Sequence, residues 1–146
     1  SEGKYAKELW SEVPASGRNP RISVQDVEEG KHWLQMNGRE VFRHAVTRFP
    51  ESIAEALEAN SLKAEDVKLI IPHQANLRIT MEVARRLNVP LETVYSNIDR
   101  YGNTTAASIP ICLAEAVNEN LIQPGDHIVL VAFGSGFTWA SAMIKW

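Results

Sequence analysis

The 17 residues from Ile128 to Ile144 contain no charged side chain, and such a run leaves a chain few folds. A membrane-spanning helix needs about 20 predominantly apolar residues, and this run is interrupted by Gly134, Ser135, Gly136, Thr138 and Ser141. Two strands joined by a glycine turn account for it better. His127 to Phe133 is a continuous apolar run of the kind buried on both faces of a sheet, and Phe137 to Lys145 is a second run after the turn. A strand covered on both faces needs helices to cover it, and the rest of the chain supplies them.

From Arg39 onward Val41, Phe42, Ala45, Val46, Phe49, Ile53, Ala54 and Leu57 recur at spacings of one, three and four. That pattern predicts an amphipathic helix, ended by Asn60 and Ser61. Val67 to Ile71, followed by Pro72, predicts a short buried strand. A second helix is predicted from about Asn76 to Leu87, with Leu77, Thr80, Met81, Ala84 and Leu87 facing inward and Val89-Pro90 stopping it. Leu91 to Asp99 reads as a short strand and turn. Ala106 to Asn118 is apolar on almost every side and predicts a buried third helix, with Pro110 tolerated near its first turn. The first 38 residues are irregular, with His32 to Met36 a candidate strand. The order argues an α/β layered domain, helices packed on a mixed sheet.

A hydrophobic fraction of 45% with 23% charged residues excludes a disordered tail. The net charge of -3 argues against a bulk nucleic-acid binder. The single cysteine, Cys112, excludes an internal disulfide and a cysteine-rich zinc module, and fits a reducing compartment such as the cytoplasm. Ser1 to Trp10 is too polar for a signal peptide, and the missing initiator Met is a hint that the chain is a piece of something longer.

Candidate chemistry is sparse. His32, His44, His73 and His127 lack zinc-ligand spacing, so no metal is expected. Gly134-Ser-Gly136 is neither a nucleophile elbow nor a dinucleotide fingerprint, which leaves a turn. His73 is more informative, because it follows a buried strand and Pro72 at the point where the chain leaves the sheet, the end of open α/β sheets where ligands bind. A structural histidine is the alternative. Gln74 and Asn76 add amide donors beside it at a helix start. Asn103 precedes the third helix, and as a residue type there it also suits a cap or a turn.

Three segments carry a resemblance: His73-Gln-Ala-Asn-Leu-Arg-Ile79, Asn97-Ile-Asp-Arg-Tyr-Gly-Asn-Thr-Thr-Ala-Ala-Ser-Ile-Pro110, and Phe133-Gly-Ser-Gly-Phe-Thr-Trp139. In that order and spacing they resemble the C-terminal half of β-ketoacyl-acyl-carrier-protein synthase III, a thiolase-superfamily enzyme. Met36 to Phe42 resembles the family's entry into this half, while Ser135 and Ala140 fall where members often carry glycine.

The resemblance implies a thiolase-like layered fold, with residues 1–146 as its C-terminal domain and the N-terminal half as its partner. It implies an acyltransferase that condenses an acyl-CoA starter, such as acetyl-CoA, with malonyl carrier protein to begin fatty-acid synthesis. His73 and Asn103 match the family's decarboxylation pair, which acts as oxyanion-type donors, with an acceptor expected beside His73 to hold its tautomer. The nucleophilic cysteine belongs to the family's other half. Cys112 does not match it and reads as a core residue.

The resemblance places Asn76 on the pantetheine arm of coenzyme A, Gly38, Phe42, Ala45 and Ile79 along its tunnel, Phe133 against the catalytic pair and Met36 at the acyl pocket. Arg43, Arg78, Arg85 and Arg86 become the docking patch for acidic acyl carrier protein; the residues alone favour a solvated face with Glu82 as partner. The family further implies a cytoplasmic homodimer with no cofactor, coenzyme A thioester being a substrate, and with neither nucleic acid nor membrane as partner. A synthase III-like enzyme of secondary metabolism with another acceptor, and a non-catalytic binding domain of the same fold, are the alternatives.

Overall fold

A computed structural model describes residues 1–146. The chain divides into two units, residues 1–41 with 134–138, and residues 42–133 with 139–146.

In the smaller unit a 3-10 helix, Gly3–Glu8, leads into β1, Leu9–Trp10. That strand pairs antiparallel with β2, Gln35–Met36, through Leu9 with Met36 and Trp10 with Gln35. The strand expected from His32 therefore shrinks to two residues. The turn after Gly30 places Trp33 and Leu34 in solvent instead, leaving too little extended backbone to pair. A short helix α1, Val24–Glu28, which the apolar periodicity does not reveal, is held by a capping box between Ser23 and Asp26. Hydrogen bonds from Ser23 and the Arg18 guanidinium hold the Asp26 carboxyl well below the usual carboxylate range.

Residues 134–138 bring a strained position into this unit. Gly136 has φ +72°, and Phe137 follows with φ +47°, a left-handed backbone that bulky residues rarely adopt. Phe137 is nonetheless fully buried, its ring stacked on Tyr5 at 5.2 Å and its carbonyl accepting from the Glu2 N–H.

The larger unit is built on a three-stranded mixed sheet of order β3-β4-β5. β3, Val67–Pro72, runs parallel to β4, His127–Gly134, in a register that sets Ile70 beside Val129 and Pro72 beside Val131. β5, Thr138–Lys145, returns after a three-residue connection, as the glycine turn predicts. Helix α2, Gly38–Ala59, buries His44, Ala45, Val46, Phe49, Ser52, Ile53 and Leu57. Ala54, expected inside, is exposed. Pro50 interrupts the helix's ladder, because it has no N–H to give Val46.

Helix α3, Leu77–Leu87, is capped by Asn76 and ends at a left-handed Asn88. Its buried face is Ile79, Thr80, Val83 and Ala84, two adjacent rows at i, i+4. Leu77 and Met81, expected to face inward, form the next row out and are about half exposed.

The expected strand at Leu91–Asp99 reduces to one parallel bridge, Val94 to Ile70, followed by the single turn α4, Ile98–Tyr101. The reason is a side chain. Gln74 donates to the carbonyl oxygen of Tyr95 and accepts from the N–H of Asn97, so it occupies the groups that a longer ladder would use.

Helix α5, Ser108–Asn118, carries Pro110 in its first turn, where it removes no intrahelical bond. Burial is confined to Ser108, Cys112 and Ala116, one row at i, i+4, i+8, so the helix is half-covered rather than buried all round. Cys112 and Ala116 join Leu69, Ile71, Tyr95, Ile122 and Ile128 in one core cluster. No helix is long and apolar enough to cross a membrane.

Candidate active site

His73 stands where β3 ends. Its backbone N–H still donates to Val131 of β4 at 2.8 Å, and its side chain is half-buried. Nδ1 lies 2.7 Å from the hydroxyl oxygen of Ser108, the first residue of α5, and Nε2 has no partner within the chain. The partner expected as an acceptor is thus a hydroxyl, which can also donate. Burial pushes the imidazole pKa below its usual value and so favours the neutral ring.

Next to it Gln74 is 1% exposed and fully bonded. Its Nε2 donates to the carbonyl oxygens of Pro72 at 2.8 Å and Tyr95 at 3.3 Å. Its Oε1 accepts from the Ser96 hydroxyl at 3.0 Å and the Asn97 N–H at 3.2 Å. One side chain therefore ties the end of β3 to the segment that leads into Asn103.

Asn103 is exposed, in a loop of unusual backbone. Gly102 has φ +66° and ψ -157°, a region reserved for glycine. Thr105 has φ +53°, which β-branched residues avoid. Asn103 Oδ1 accepts the Thr105 N–H at 2.8 Å, an Asx turn that occupies the oxygen and leaves the amide N–H₂ without a partner in the chain. The turn reading and the donor reading of this residue are compatible. Ser108, which meets His73, lies only five residues further on.

Below this loop Asn97 donates to Glu115 at 2.7 Å and accepts from the Cys112 thiol at 3.0 Å. Tyr101 and Arg100 reach the same carboxylate, at 2.6 and 2.9 Å. Cys112 is fully buried and its thiol pKa is pushed up to about 11 by that burial, which makes it inert and a core residue, as the sequence reading has it.

The other expected site residues are spread more widely. Asn76 uses Oδ1 to cap α3, accepting from the Arg78 N–H at 2.9 Å, and keeps its amide donors free. Phe42 is half-buried, with the Arg78 guanidinium 5.3 Å from its ring centroid. Ala45 and Ile79 are core residues with little accessible surface. Phe133 is buried two residues beyond Val131 and stacks on Trp139 at 6.4 Å. Trp139 also carries the Arg48 guanidinium at 4.6 Å. Met36, exposed, and Gly38, at the start of α2, belong to the smaller unit.

The arginines do not stand alike. Glu82 takes Arg85 through two bonds, at 2.8 and 2.6 Å, and Arg86 through one, at 2.9 Å. Those guanidiniums hold the Glu82 carboxyl down to about 2. Arg78 has no carboxylate partner, and Arg43 Nη2 approaches His44 Nε2 at 3.5 Å. Glu82 was visible as a partner; that it engages two arginines at once was not.

Comparison with known proteins decides what this arrangement belongs to. Residues 57–146 match the family model described as 3-oxoacyl-[acyl-carrier-protein] synthase III C terminal. The chain belongs to the synthase III family. Among synthase III relatives, the β-ketoacyl-[acyl-carrier-protein] synthase III of Roseiflexus castenholzii is 52% identical over 134 residues, covering 92% of this chain. That of Clostridioides difficile is 44% identical over the same length. The chain spans 41% of the length of each. Among solved structures, the Thermus thermophilus synthase III superposes with a TM-score of 0.87 at 46% identity, covering all of this chain and 44% of that one. The Pseudomonas aeruginosa enzyme gives 0.88 at 35%, covering 43% of its chain. The fold is therefore the thiolase-like layered fold, and the chain corresponds to the C-terminal part of synthase III.

Proposed function

We propose that this chain is the decarboxylating half of a β-ketoacyl-acyl-carrier-protein synthase III, acting in the cytoplasm with the remainder of the enzyme as a homodimer. The observation that carries the reading is the geometry of His73: an imidazole at the end of β3 with Nδ1 engaged and Nε2 unpartnered, its neutral form favoured by burial. Asn103 supports it, because the Asx turn leaves only its amide donors available.

In this reading Nε2–H of His73 and the Nδ2–H of Asn103 donate to the thioester oxygen of malonyl carrier protein. The bond between the carboxylate and the α-carbon breaks, carbon dioxide leaves, and the electron pair moves onto the enolate oxygen held by the two donors. The enolate carbon attacks the acyl-cysteine of the other half. A carbon–carbon bond forms, the carbon–sulfur bond breaks, and the cysteine leaves as thiolate. The acyl group comes from an acyl-CoA such as acetyl-CoA, a substrate, and the reaction needs no cofactor.

Asn76 and Phe42 offer surface to the pantetheine arm, and Arg78 with Arg43, Arg85 and Arg86 offers positive charge to acyl carrier protein. In the full-length protein His73→Ala and Asn103→Ala are each expected to lower decarboxylation of malonyl carrier protein on the order of 10²–10³-fold. Transfer of the acetyl group from acetyl-CoA to the cysteine should persist. Undiminished decarboxylation in both variants refutes the reading.

A further inference from the structure

We propose that Ser108 is a positioning residue for His73: its hydroxyl donates to Nδ1 and so fixes the imidazole as the neutral tautomer with its proton on Nε2. Its bearing on catalysis rests on the proposed role of His73; the hydrogen-bond assignment itself does not.

A serine hydroxyl has one proton to give and lone pairs to receive. Two groups meet the Ser108 oxygen, the Gln74 N–H at 3.2 Å and His73 Nδ1 at 2.7 Å, and the residue has no other partner in the chain. A peptide N–H can only donate, so Gln74 fixes the direction of the first bond. If Nδ1 also carried a proton, the oxygen would accept twice and its own proton would have nowhere to go. Ser108 is 2% exposed, so water does not relieve that orphan. When the hydroxyl donates to Nδ1 instead, all three groups are satisfied. The imidazolium meets the same obstacle as the wrong tautomer, since it too needs a proton on Nδ1.

The placement couples two parts of the site. Ser108 opens α5 directly after the loop that carries Asn103, and its hydroxyl reaches back to the end of β3. The peptide of Gln74 orients the serine, and the serine orients the histidine. Neither needs to touch a substrate.

The test is ¹⁵N NMR of histidine-labelled full-length protein, with His73→Gln identifying the resonances. The unmodified protein should show Nδ1 unprotonated and hydrogen-bonded, and Nε2 protonated. In Ser108→Ala the Nδ1 resonance should move toward that of a free imine nitrogen, and in Ser108→Thr, which keeps a hydroxyl, it should stay. Decarboxylation should fall about 10-fold in kcat in the alanine variant, as for other orienting hydrogen bonds, with KM for malonyl carrier protein unchanged and recovery in the threonine variant. A protonated Nδ1 in the unmodified protein, or an unmoved resonance in Ser108→Ala, overturns the proposal, and the first needs no variant to fold. A moved resonance with unchanged decarboxylation upholds the serine's bond and overturns its role in positioning His73 for the reaction, while His73→Ala decides the part of His73 itself.

Discussion

Replacing Gln74 by leucine keeps the approximate volume and removes four hydrogen bonds at once. Three of them serve buried backbone groups, the carbonyl oxygens of Pro72 and Tyr95 and the N–H of Asn97. The fourth partner, the Ser96 hydroxyl, is half-buried and can turn to water. Leaving a buried polar group unpaired costs about 1–3 kcal/mol. Three such groups, with partial relaxation, put the loss at about 3–6 kcal/mol. Against a total stability of about 5–15 kcal/mol that is enough to loosen the segment 95–97.

Gln74→Glu separates the polar effect from the packing effect. The carboxyl oxygen that replaces Nε2 faces two carbonyl oxygens, which repel the charged form, and burial adds to this, so the folded pKa rises above the unfolded value of about 4.3. The stability this group contributes is then fully present below that unfolded value and is lost as pH rises through the folded pKa. Hydrogen exchange of the Asn97 amide, followed with thermal unfolding at several pH values, reads both variants. Leucine should cost protection at every pH, whereas glutamate should cost it mainly at neutral pH. Unchanged Asn97 protection in both variants would refute the claim that Gln74 holds this segment.

Two further outcomes follow from the geometry. Cys112, fully buried with its thiol raised to about 11, should resist alkylation in the native protein at pH 8 and react only after denaturation; native-state labelling by mass spectrometry checks this, and rapid modification would contradict its place in the core. Glu82→Gln frees Arg85 and Arg86 from their shared carboxylate and should lower KM for carrier-protein substrate several-fold at low salt, leaving KM for acyl-CoA unaltered. Equal changes in both constants would show that this face does not receive the carrier protein.

The elements legible in the chain were those whose burial repeats along it. α2, β3, β4, β5 and the extents of α3 and α5 follow from apolar spacing, and the strand end at His73 follows from Pro72. Misreadings arose where contacts distant in sequence decide. The segment from Leu91 looks extended, but Gln74 supplies across 21 residues what a neighbouring strand would have supplied. The inward face of α3 is one row away from the most apolar-looking choice, because Ile79 and Val83 rather than Leu77 and Met81 meet the core. α1 is not legible from periodicity, because five residues are too short for a period, although Ser23 and Asp26 carry its capping signal. In the site, Asn103 and His73 were visible through their motifs. Ser108 lay inside one of those motifs without a role, since its meaning depends on a partner 35 residues away.

The connection between β4 and β5 limits what evolution can do at position 137. Glycine would relieve the left-handed backbone, worth about 1–2 kcal/mol. It would also surrender a fully buried ring stacked on Tyr5, worth about 1.5–3 kcal/mol in burial and about 0.5–1.5 kcal/mol in stacking. Valine or isoleucine would retain apolar volume and suffer more from the backbone, because branching at Cβ tolerates positive φ worst. Position 137 therefore favours an aromatic side chain unbranched at Cβ for as long as Tyr5 is there to stack on it, which ties the choice of residue at 137 to the one at position 5.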